Sequence, residues 1–294
     1  LALSNDKSLF LAVINGDMAA LSRSLKYDID VVHSFYTGSI FHETLDLWAH
    51  LQIPVLANIF HGAKVGDYSL VDLAIFPSEF EMKRTIKHTF YKNSAVISPC
   101  VDTLNAKPVI VATPRRYFCY IAIIEKRKRL HMLIIAMSKF PDIDLHIAGI
   151  EIDGNYLELC KKLSQGIDNI IWHGTISDGE KVFLLSNDEC IGLTIPSENE
   201  SFGISYVEAL CFGSPVLGFA PAVAEFTAIC NTEVGIGVEQ NAGQQELELS
   251  MESLVELSSH FDKKNVTQKM REYFSYDVFA DKTIKTMLKY VNDK

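Results

Sequence analysis

The possible folds of this 294-residue chain are limited most strongly by short apolar runs that alternate with helical patterns. Segments 54–60, 145–149 and 190–195 are apolar almost throughout, without the alternation of a half-exposed strand. Strands of this kind, joined by helices, form parallel sheets that are covered on both faces. Because the pattern occurs twice, we predict an α/β fold of two doubly wound domains that face one another. Ligands in such sheets bind beyond the carboxyl ends of the strands.

A connector between Cys100 and Arg116 interrupts the alternation, and three prolines lie in or beside it. We therefore predict an N-terminal domain over residues 1–107 and a C-terminal domain over residues 108–294. The sequence from Gln244 to Tyr290 is almost wholly helical, which predicts a helical tail. Only 29 residues precede Asp30, where the first clear strand begins, so the N-terminal domain is expected to be shortened.

Composition narrows the classes of partner and compartment. The net charge of -10 argues against broad binding to nucleic acid, which needs a basic surface. The run Lys126–Arg129 is the exception, and it is either a solvated face or a site for phosphate. The six cysteines lack zinc-ligand spacing, which favours thiols in a reducing, cytoplasmic compartment. The chain begins at Leu1 without a signal-peptide pattern or a run of ~18 apolar residues, and we expect the natural amino terminus to lie upstream.

Chemically useful residues concentrate in the segment Pro196–Leu210, which follows an apolar strand. Glu200 ends the loop before a helix, and Glu208 lies two turns into that helix. Gly203 lets the backbone approach a ligand closely, and amides at the start of the helix can bind a diphosphate. Because the rest of the helix is apolar, burying Glu208 without a partner would be costly. The arrangement suits a nucleotide sugar, with one carboxylate at the sugar and the other at the ribose.

This segment resembles the E-x7-E motif of GT-B glycosyltransferases, in the form typical of the retaining family 4. The resemblance implies that Glu200 contacts the transferred sugar and that Glu208 contacts the ribose. It also implies that Lys128 binds the donor phosphates, the alternative being a solvated basic run. Both domains would then be Rossmann-like, with the acceptor side in 1–107 and the nucleotide sugar in 108–294. The same resemblance extends donor binding to Phe202, Gly203, Ile204, Gly149, Trp172 and His173.

The N-terminal part resembles the family in two segments, Asp30–His33 and Ile53–Gly62. The resemblance implies that His61 lies against the transferred sugar; the alternative is a hydrogen-bonded core histidine. The chain departs from the family where a glycine and an arginine are usual, because Ala122 and Ile123 stand there and one phosphate-binding cation is absent. No glycine-rich loop precedes Asp30, which is expected of a truncated chain or a degenerate enzyme.

The implied activity is transfer of a hexosyl group from a nucleotide sugar to a hydroxyl acceptor, with retention of configuration. The acceptor would be a glycan, a lipid-linked molecule or a protein, and no nucleic-acid partner is expected. His61 and Glu200 would orient the sugar, while Lys128 and the helix amides stabilise the leaving diphosphate. No metal or other cofactor is expected, since the start of the helix together with Lys128 can take the place of a cation at the diphosphate.

Two alternative functions stay open. One is a non-catalytic or partner-dependent GT-B subunit, whose protein partner supplies the missing N-terminal elements. The other is a different GT-B enzyme, such as a nucleotide-sugar epimerase, although the loop before the helix fits that class less well. Peripheral contact with a membrane is also compatible with the sequence.

Overall fold

A computed structural model describes residues 31–34, 45–46, 48–59, 68–101 and 106–292. His61 and Asp30 therefore lie outside the described residues. The chain divides into two compact units: the first comprises Leu1–Phe76, Met82–Val96 and Thr283–Lys294, and the second comprises Pro77–Glu81 and Ile97–Lys282. These units are defined by packing, whereas the limits 1–107 and 108–294 were placed at the connector that interrupts the alternation of strands and helices, and they stay a prediction.

The first unit is built on a four-stranded parallel sheet. Its strands lie in chain order: β1 (Val32–Ser34), β2 (Val55–Asn58), β3 (Leu73–Phe76) and β4 (Ser94–Val96). All four residues of β3 are buried, as expected of a strand covered on both faces. Helix α1 (Glu79–Thr85) follows β3, and Glu79 and Glu81 lie in its first turn, where acids stabilise a helix.

The second unit contains a six-stranded sheet that is also parallel throughout. Its strands are β5 (Tyr117–Ile121), β6 (Asp144–Ala148), β7 (Ile170–Gly174), β8 (Cys190–Ile195), β9 (Val216–Phe219) and β10 (Gly235–Val238). Their spatial order is β7-β6-β5-β8-β9-β10, which is the order of a doubly wound sheet. The strands that follow β5 are first added on one side of it, as β6 and β7, and then on its other side, as β8, β9 and β10. The strand order therefore reverses between β5 and β8. The predicted α/β class with two parallel sheets is confirmed.

Helices connect the strands of this sheet and form the tail of the chain. They are α2 (Leu130–Ala136), α3 (Gly154–Leu163), α4 (Asp178–Ser186), α5 (Ile204–Phe212), α6 (Ala220–Cys230), α7 (Gln244–Ser258), α8 (Lys263–Tyr273) and α9 (Tyr276–Asn292). The predicted helical tail corresponds to α7, α8 and α9. At the start of α4, the sequence spacing of Ser177 and Glu180 predicts a capping box, and the structure shows one, in which each side chain accepts a backbone hydrogen bond from the other residue.

The core of the second unit lies around the two central strands. All six residues of β8 are buried, and so are the first four of β5. The edge strand β7 is only half-buried. None of the six cysteines forms a disulfide. Among the helices that the structure describes, none combines the length and the apolar character needed to cross a membrane.

Candidate functional site

The loops after β5 and β8 bring most of the predicted site residues to one edge of the six-stranded sheet. A short 3-10 turn, Lys126–Lys128, follows β5, and the segment 196–203 follows β8. Both loops leave the carboxyl ends of adjacent strands at the point where the strand order reverses. In doubly wound sheets, this crevice is where ligands bind.

A buried carboxylate, Glu200, forms the centre of this edge. Its Oε1 atom accepts hydrogen bonds from the Ser197 hydroxyl at 2.7 Å and from the Lys128 ammonium. Its Oε2 atom lies 3.9 Å from Nη1 of Arg127. Only 9% of the Glu200 side chain and 12% of the Lys128 side chain is exposed. A buried charge is tolerated when it is paired and hydrogen-bonded, and Glu200 meets that condition.

The basic turn and the acidic loop are joined by backbone and side-chain bonds. The backbone N–H of Glu198 donates to the carbonyl of Arg127 at 2.9 Å, and Arg127 Nη1 donates to the carbonyl of Asn199 at 2.9 Å. Arg129 is buried, with Nε 3.5 Å from Oε1 of Glu198. Its φ angle of 55° is in the left-handed region, which is uncommon for a residue other than glycine. These contacts fix Lys128 against Glu200.

The start of α5 presents backbone amides beside Glu200. Gly203 has a φ angle of 89°, and a Cβ atom there would overlap the ring of Tyr206. The Tyr206 hydroxyl donates to the carbonyl of Ile195 at 2.6 Å and accepts from the N–H of Phe219 at 3.2 Å. A Cβ atom on Gly218 would overlap the same ring. The tyrosine therefore holds the first turn of α5 against β8 and β9.

Phe202 and Ile204 flank this turn in different environments. The Phe202 side chain is buried, with its ring centroid 5.5 Å from that of Phe274, so only its backbone is available to a ligand. Ile204 is half exposed. Within the described part of the chain, the N–H groups of Ile204 and Ser205 donate no hydrogen bond. Such unsatisfied amides at a helix start carry partial positive charge and favour anions.

Glu208 lies one turn further along α5, and its partner is a residue that the sequence analysis did not identify. Lys181, in the first turn of α4, places Nζ 2.7 Å from Oε1 of Glu208 and 3.3 Å from Oδ1 of Asp178. Burial lowers the pKa of Lys181, but the hydrogen bond and charge of Glu208 outweigh it, so the pKa is raised overall. The apolar sequence of α5 showed that Glu208 needs a partner, but not which residue supplies it.

The predicted residues after β6 and on β7 have three different surroundings. A Cβ atom on Gly149 would overlap the carbonyl oxygen of Ala122, so glycine is required where the loops after β5 and β6 meet. The Trp172 indole donates to Ser164 at 3.2 Å, which directs its ring toward the end of α3. The Nε2 atom of His173 lies within hydrogen-bonding distance, 2.9 Å, of Nδ1 of His146.

The His146–His173 pair was not identified from the sequence. The two rings stack with centroids 5.0 Å apart, and the His146 ring also contacts Tyr117 at 4.6 Å. His146 is fully buried, and its Nε2 has no hydrogen-bond partner among the described residues. Burial, with a smaller effect of His173, lowers the pKa of His146 to about 4. Burial also lowers the pKa of His173, so both rings are neutral at pH 7.

Several sequence-based expectations concern residues that contribute no observed contact. His61 lies outside the described residues, so its predicted contact with the sugar stays a prediction. Ile123 is 44% exposed at the edge that carries Lys128, and it supplies no charge there. Among the described residues, no three His, Cys, Asp or Glu side chains are grouped so that they could hold a metal ion.

Comparison with protein families gives one match. The sequence model described as "Glycosyl transferases group 1" matches residues 103–275, which is more than half of the chain. The matched segment contains Lys128, Glu200 and Glu208. A comparison with curated proteins gives no significant match.

Solved structures of similar fold include a glycosyltransferase and a synthase, each with low sequence identity to this chain. A glycosyltransferase from Rickettsia africae has a TM-score of 0.76 and 16% identity, covering 100% of this chain and 85% of its own. Sucrose-phosphate synthase from Thermosynechococcus elongatus has a TM-score of 0.73 and 16% identity, covering 94% and 77%. Anabaena HepE, solved in complex with UDP and glucose, has a TM-score of 0.73 and 15% identity, covering 92% and 81%. At such identities the likeness shows the fold alone.

Proposed function

The chain belongs to the glycosyl transferases group 1 family, a family of retaining enzymes, and from this premise we propose that it transfers a hexosyl group from a nucleotide sugar to a hydroxyl acceptor. One observation carries the proposal: the Lys128–Glu200 pair lies beside unsatisfied amides at the start of α5, and Glu208 follows on the same helix. A cation, a helix start and two carboxylates are the groups that a diphosphate, a sugar and a ribose require.

The spacing along α5 suits a nucleoside diphosphate. An α-helix rises about 1.5 Å per residue, so Glu208 lies about 6 Å along the axis from Ile204. A diphosphate bound at the amides of Ile204 and Ser205 would then place its ribose near the second turn, where Glu208 accepts hydrogen bonds from ribose hydroxyls. The other end of the diphosphate would place the sugar at Glu200.

Lys128 has a role in the departure of the nucleoside diphosphate. Negative charge develops on the leaving phosphate, and an ammonium group with helix amides stabilises it without reorganising at that moment. When Lys128 turns toward phosphate, Glu200 keeps its hydrogen bond from Ser197 and its ion pair with Arg127. The carboxylate is therefore still paired while it orients the sugar hydroxyls. His61 is proposed to contact the same sugar.

The donor class proposed is a nucleoside diphosphate hexose, with the uridine form tested first because HepE was solved with UDP and glucose. The acceptor hydroxyl is proposed to belong to a glycan, a lipid-linked molecule or a protein. We also propose that any partner subunit or membrane contact involves the N-terminal unit, since the proposed donor residues all lie in the second unit.

A binding subunit without turnover is the second candidate function. It is favoured by one observation, namely that the exposed side chain at position 123 is an isoleucine, where the family usually has an arginine. Loss of one phosphate-binding cation would reduce the stabilisation of the leaving group more than it reduces binding of the donor. Donor binding without transfer to any acceptor would favour this candidate.

Calorimetric titration of the purified chain with uridine, adenosine and guanosine diphosphates and their hexoses tests the proposal. Hydrogen bonds to charged groups contribute about 1.5–3 kcal/mol, so Lys128→Ala and Glu208→Ala should each weaken binding about ten- to hundredfold. The matched control is Lys139→Met, which breaks a 2.7 Å ion pair with Glu248 outside the site. Absence of binding to every nucleotide by the folded wild-type chain would contradict the proposal.

A further inference from the structure

Part of the hydrogen-bonding capacity of the Glu208–Lys181 pair is not used by the described residues. Glu208 receives one bond on Oε1, and its Oε2 atom accepts none from the described residues. The Lys181 ammonium has three protons and two partners, Glu208 and Asp178. About 19% of the Glu208 side chain and 21% of the Lys181 side chain is exposed, so a small polar group can reach both.

We propose that Lys181 is a specificity-determining residue that recognises the ribose of the donor together with Glu208, an inference that rests on the proposed function. A vicinal diol offers two neighbouring hydroxyls, and each can donate or accept. One ribose hydroxyl donates to Oε2 of Glu208, while the adjacent hydroxyl accepts the remaining proton of Lys181. The pair presents an acceptor and a donor side by side, which matches a diol better than either charge alone.

The position of Lys181 is fixed by the local structure of α4. The helix starts just beyond the carboxyl end of β7, and its capping box holds the first turn in place. The Asp178 carboxylate is 81% exposed, so its ion pair with Lys181 contributes little. Glu208 is the partner that orients the ammonium. Because the pKa of Lys181 is raised, the ammonium keeps its protons at neutral pH and can donate to a hydroxyl.

The pair also explains how Glu208 is accommodated on an apolar helix. The neighbours of Glu208 on α5 are buried, including Val207 and Ala209. A carboxylate there without Lys181 would be poorly compensated, and it would be free to change rotamer. With Lys181 in place, the charge is balanced and Oε2 is directed by the bond that Oε1 makes. The Glu208–Lys181 pair carries no net charge. This is favourable because the diphosphate brings negative charge to the adjacent amides and would be repelled by an unpaired carboxylate.

The test compares nucleotides that differ by one hydroxyl. Wild-type chain is titrated with uridine, adenosine and guanosine diphosphates and with the matched 2′-deoxy and 3′-deoxy forms. Loss of either hydroxyl should weaken binding about tenfold or more, since it removes a bond to a charged group. In Lys181→Met, the ribonucleotide should bind about ten- to hundredfold more weakly. The preference for the ribonucleotide over at least one deoxy form should fall about tenfold.

Two further variants keep the result interpretable. Lys139→Met should keep the wild-type preference for ribose, because its ion pair with Glu248 lies outside the site. If Lys181→Met fails to fold, Lys181→Arg replaces it: the guanidinium keeps the charge pairing with Glu208 but places its protons differently. The preference for ribose should again fall about tenfold.

The outcomes separate this inference from the proposed function. A wild-type chain that binds no nucleotide contradicts both. A wild-type chain that binds nucleotides, with a ratio of ribose to deoxyribose affinity unchanged in Lys181→Met or Lys181→Arg, overturns the inference alone. Equal weakening of the ribo and deoxy forms would show that Lys181 acts only on the fold of the site, and it would also overturn the inference.

Discussion

Acidification from pH 7 to pH 5 should lower the free energy of unfolding by about 2 kcal/mol, because His146 gains a proton in the unfolded chain and not in the folded chain. The ring is fully buried, and its pKa is lowered to about 4 from the ordinary value near 6.5. Below pH 6.5 His146 binds a proton in the unfolded chain but stays neutral in the folded chain, so the free energy of unfolding falls as the pH falls. Each pH unit in the interval between the two pKa values costs about 1.4 kcal/mol, and the total approaches about 3 kcal/mol at pH 4.

Urea unfolding followed by circular dichroism at pH 7, 6 and 5 measures this effect. The variant His146→Phe fills the same space beside Tyr117 and cannot titrate, so its stability should depend on pH more weakly by about 2 kcal/mol over the interval. His173 has a lowered pKa too, so acid should still destabilise the variant to some extent. The control His260→Gln alters an exposed histidine and should keep the wild-type dependence.

The interval above pH 5 is chosen because of the carboxylates. Hydrogen bonds from Ser177 lower the pKa of Glu180, and Lys263 lowers that of Asp188. Groups of this kind stabilise the fold above their ordinary pKa and lose that contribution only as the pH falls further. A His146→Phe variant whose pH dependence from 7 to 5 equals that of the wild type would refute the reasoning, because it would show that the buried ring takes up its proton without cost.

Three further predictions concern the backbone of the second unit. Arg129 has a left-handed φ angle, so Arg129→Gly should be more stable than Arg129→Ala by about 1 kcal/mol in urea unfolding; equal stabilities would argue against strain at that residue. Gly203→Ala should lower the free energy of unfolding by about 3 kcal/mol, with ~1–2 kcal/mol from the left-handed φ angle and ~1–3 kcal/mol from overlap with Tyr206. A thermal scan that finds a loss of stability smaller than about 1 kcal/mol would contradict this prediction. Glu225 accepts hydrogen bonds from the backbone N–H groups of Glu79 and Phe80, both at 3.1 Å, and so caps the start of α1. Glu225→Ala should therefore lower the free energy of unfolding by about 1 kcal/mol. A thermal midpoint equal to that of the wild type would show that this cap contributes nothing to stability.

Strands and helix starts that depend only on neighbouring residues could be predicted from the sequence. The almost wholly apolar run of β8 predicted a strand buried on both faces, and all its residues are buried. The spacing of Ser177 and Glu180 predicted the start of α4 because both partners of a capping box lie within one turn. The segment around Glu200 predicted a loop before a helix, since Gly203 supplies the left-handed residue at its start.

Contacts between distant parts of the chain could not be predicted in this way. Lys181 and Glu208 are on different helices, and no periodic pattern in one helix indicates the partner in another. His146 and His173 lie on neighbouring strands, and their contact depends on the register between them. The left-handed φ angle of Arg129 was also missed, because arginine is not a residue type that signals this conformation.

Tyr206 has a consequence for how the sequence can change. The ring fits only because two positions, 203 and 218, lack a side chain, and its hydroxyl bridges the carbonyl of Ile195 and the N–H of Phe219. A larger residue at either glycine requires loss of the ring, and loss of the ring removes the bridge between two strands and the helix. Substitutions at the three positions should therefore be strongly non-additive. During evolution these three residues would have to be exchanged together. The position of the first turn of α5 relative to its ligand would therefore change through combined substitutions and not through single ones.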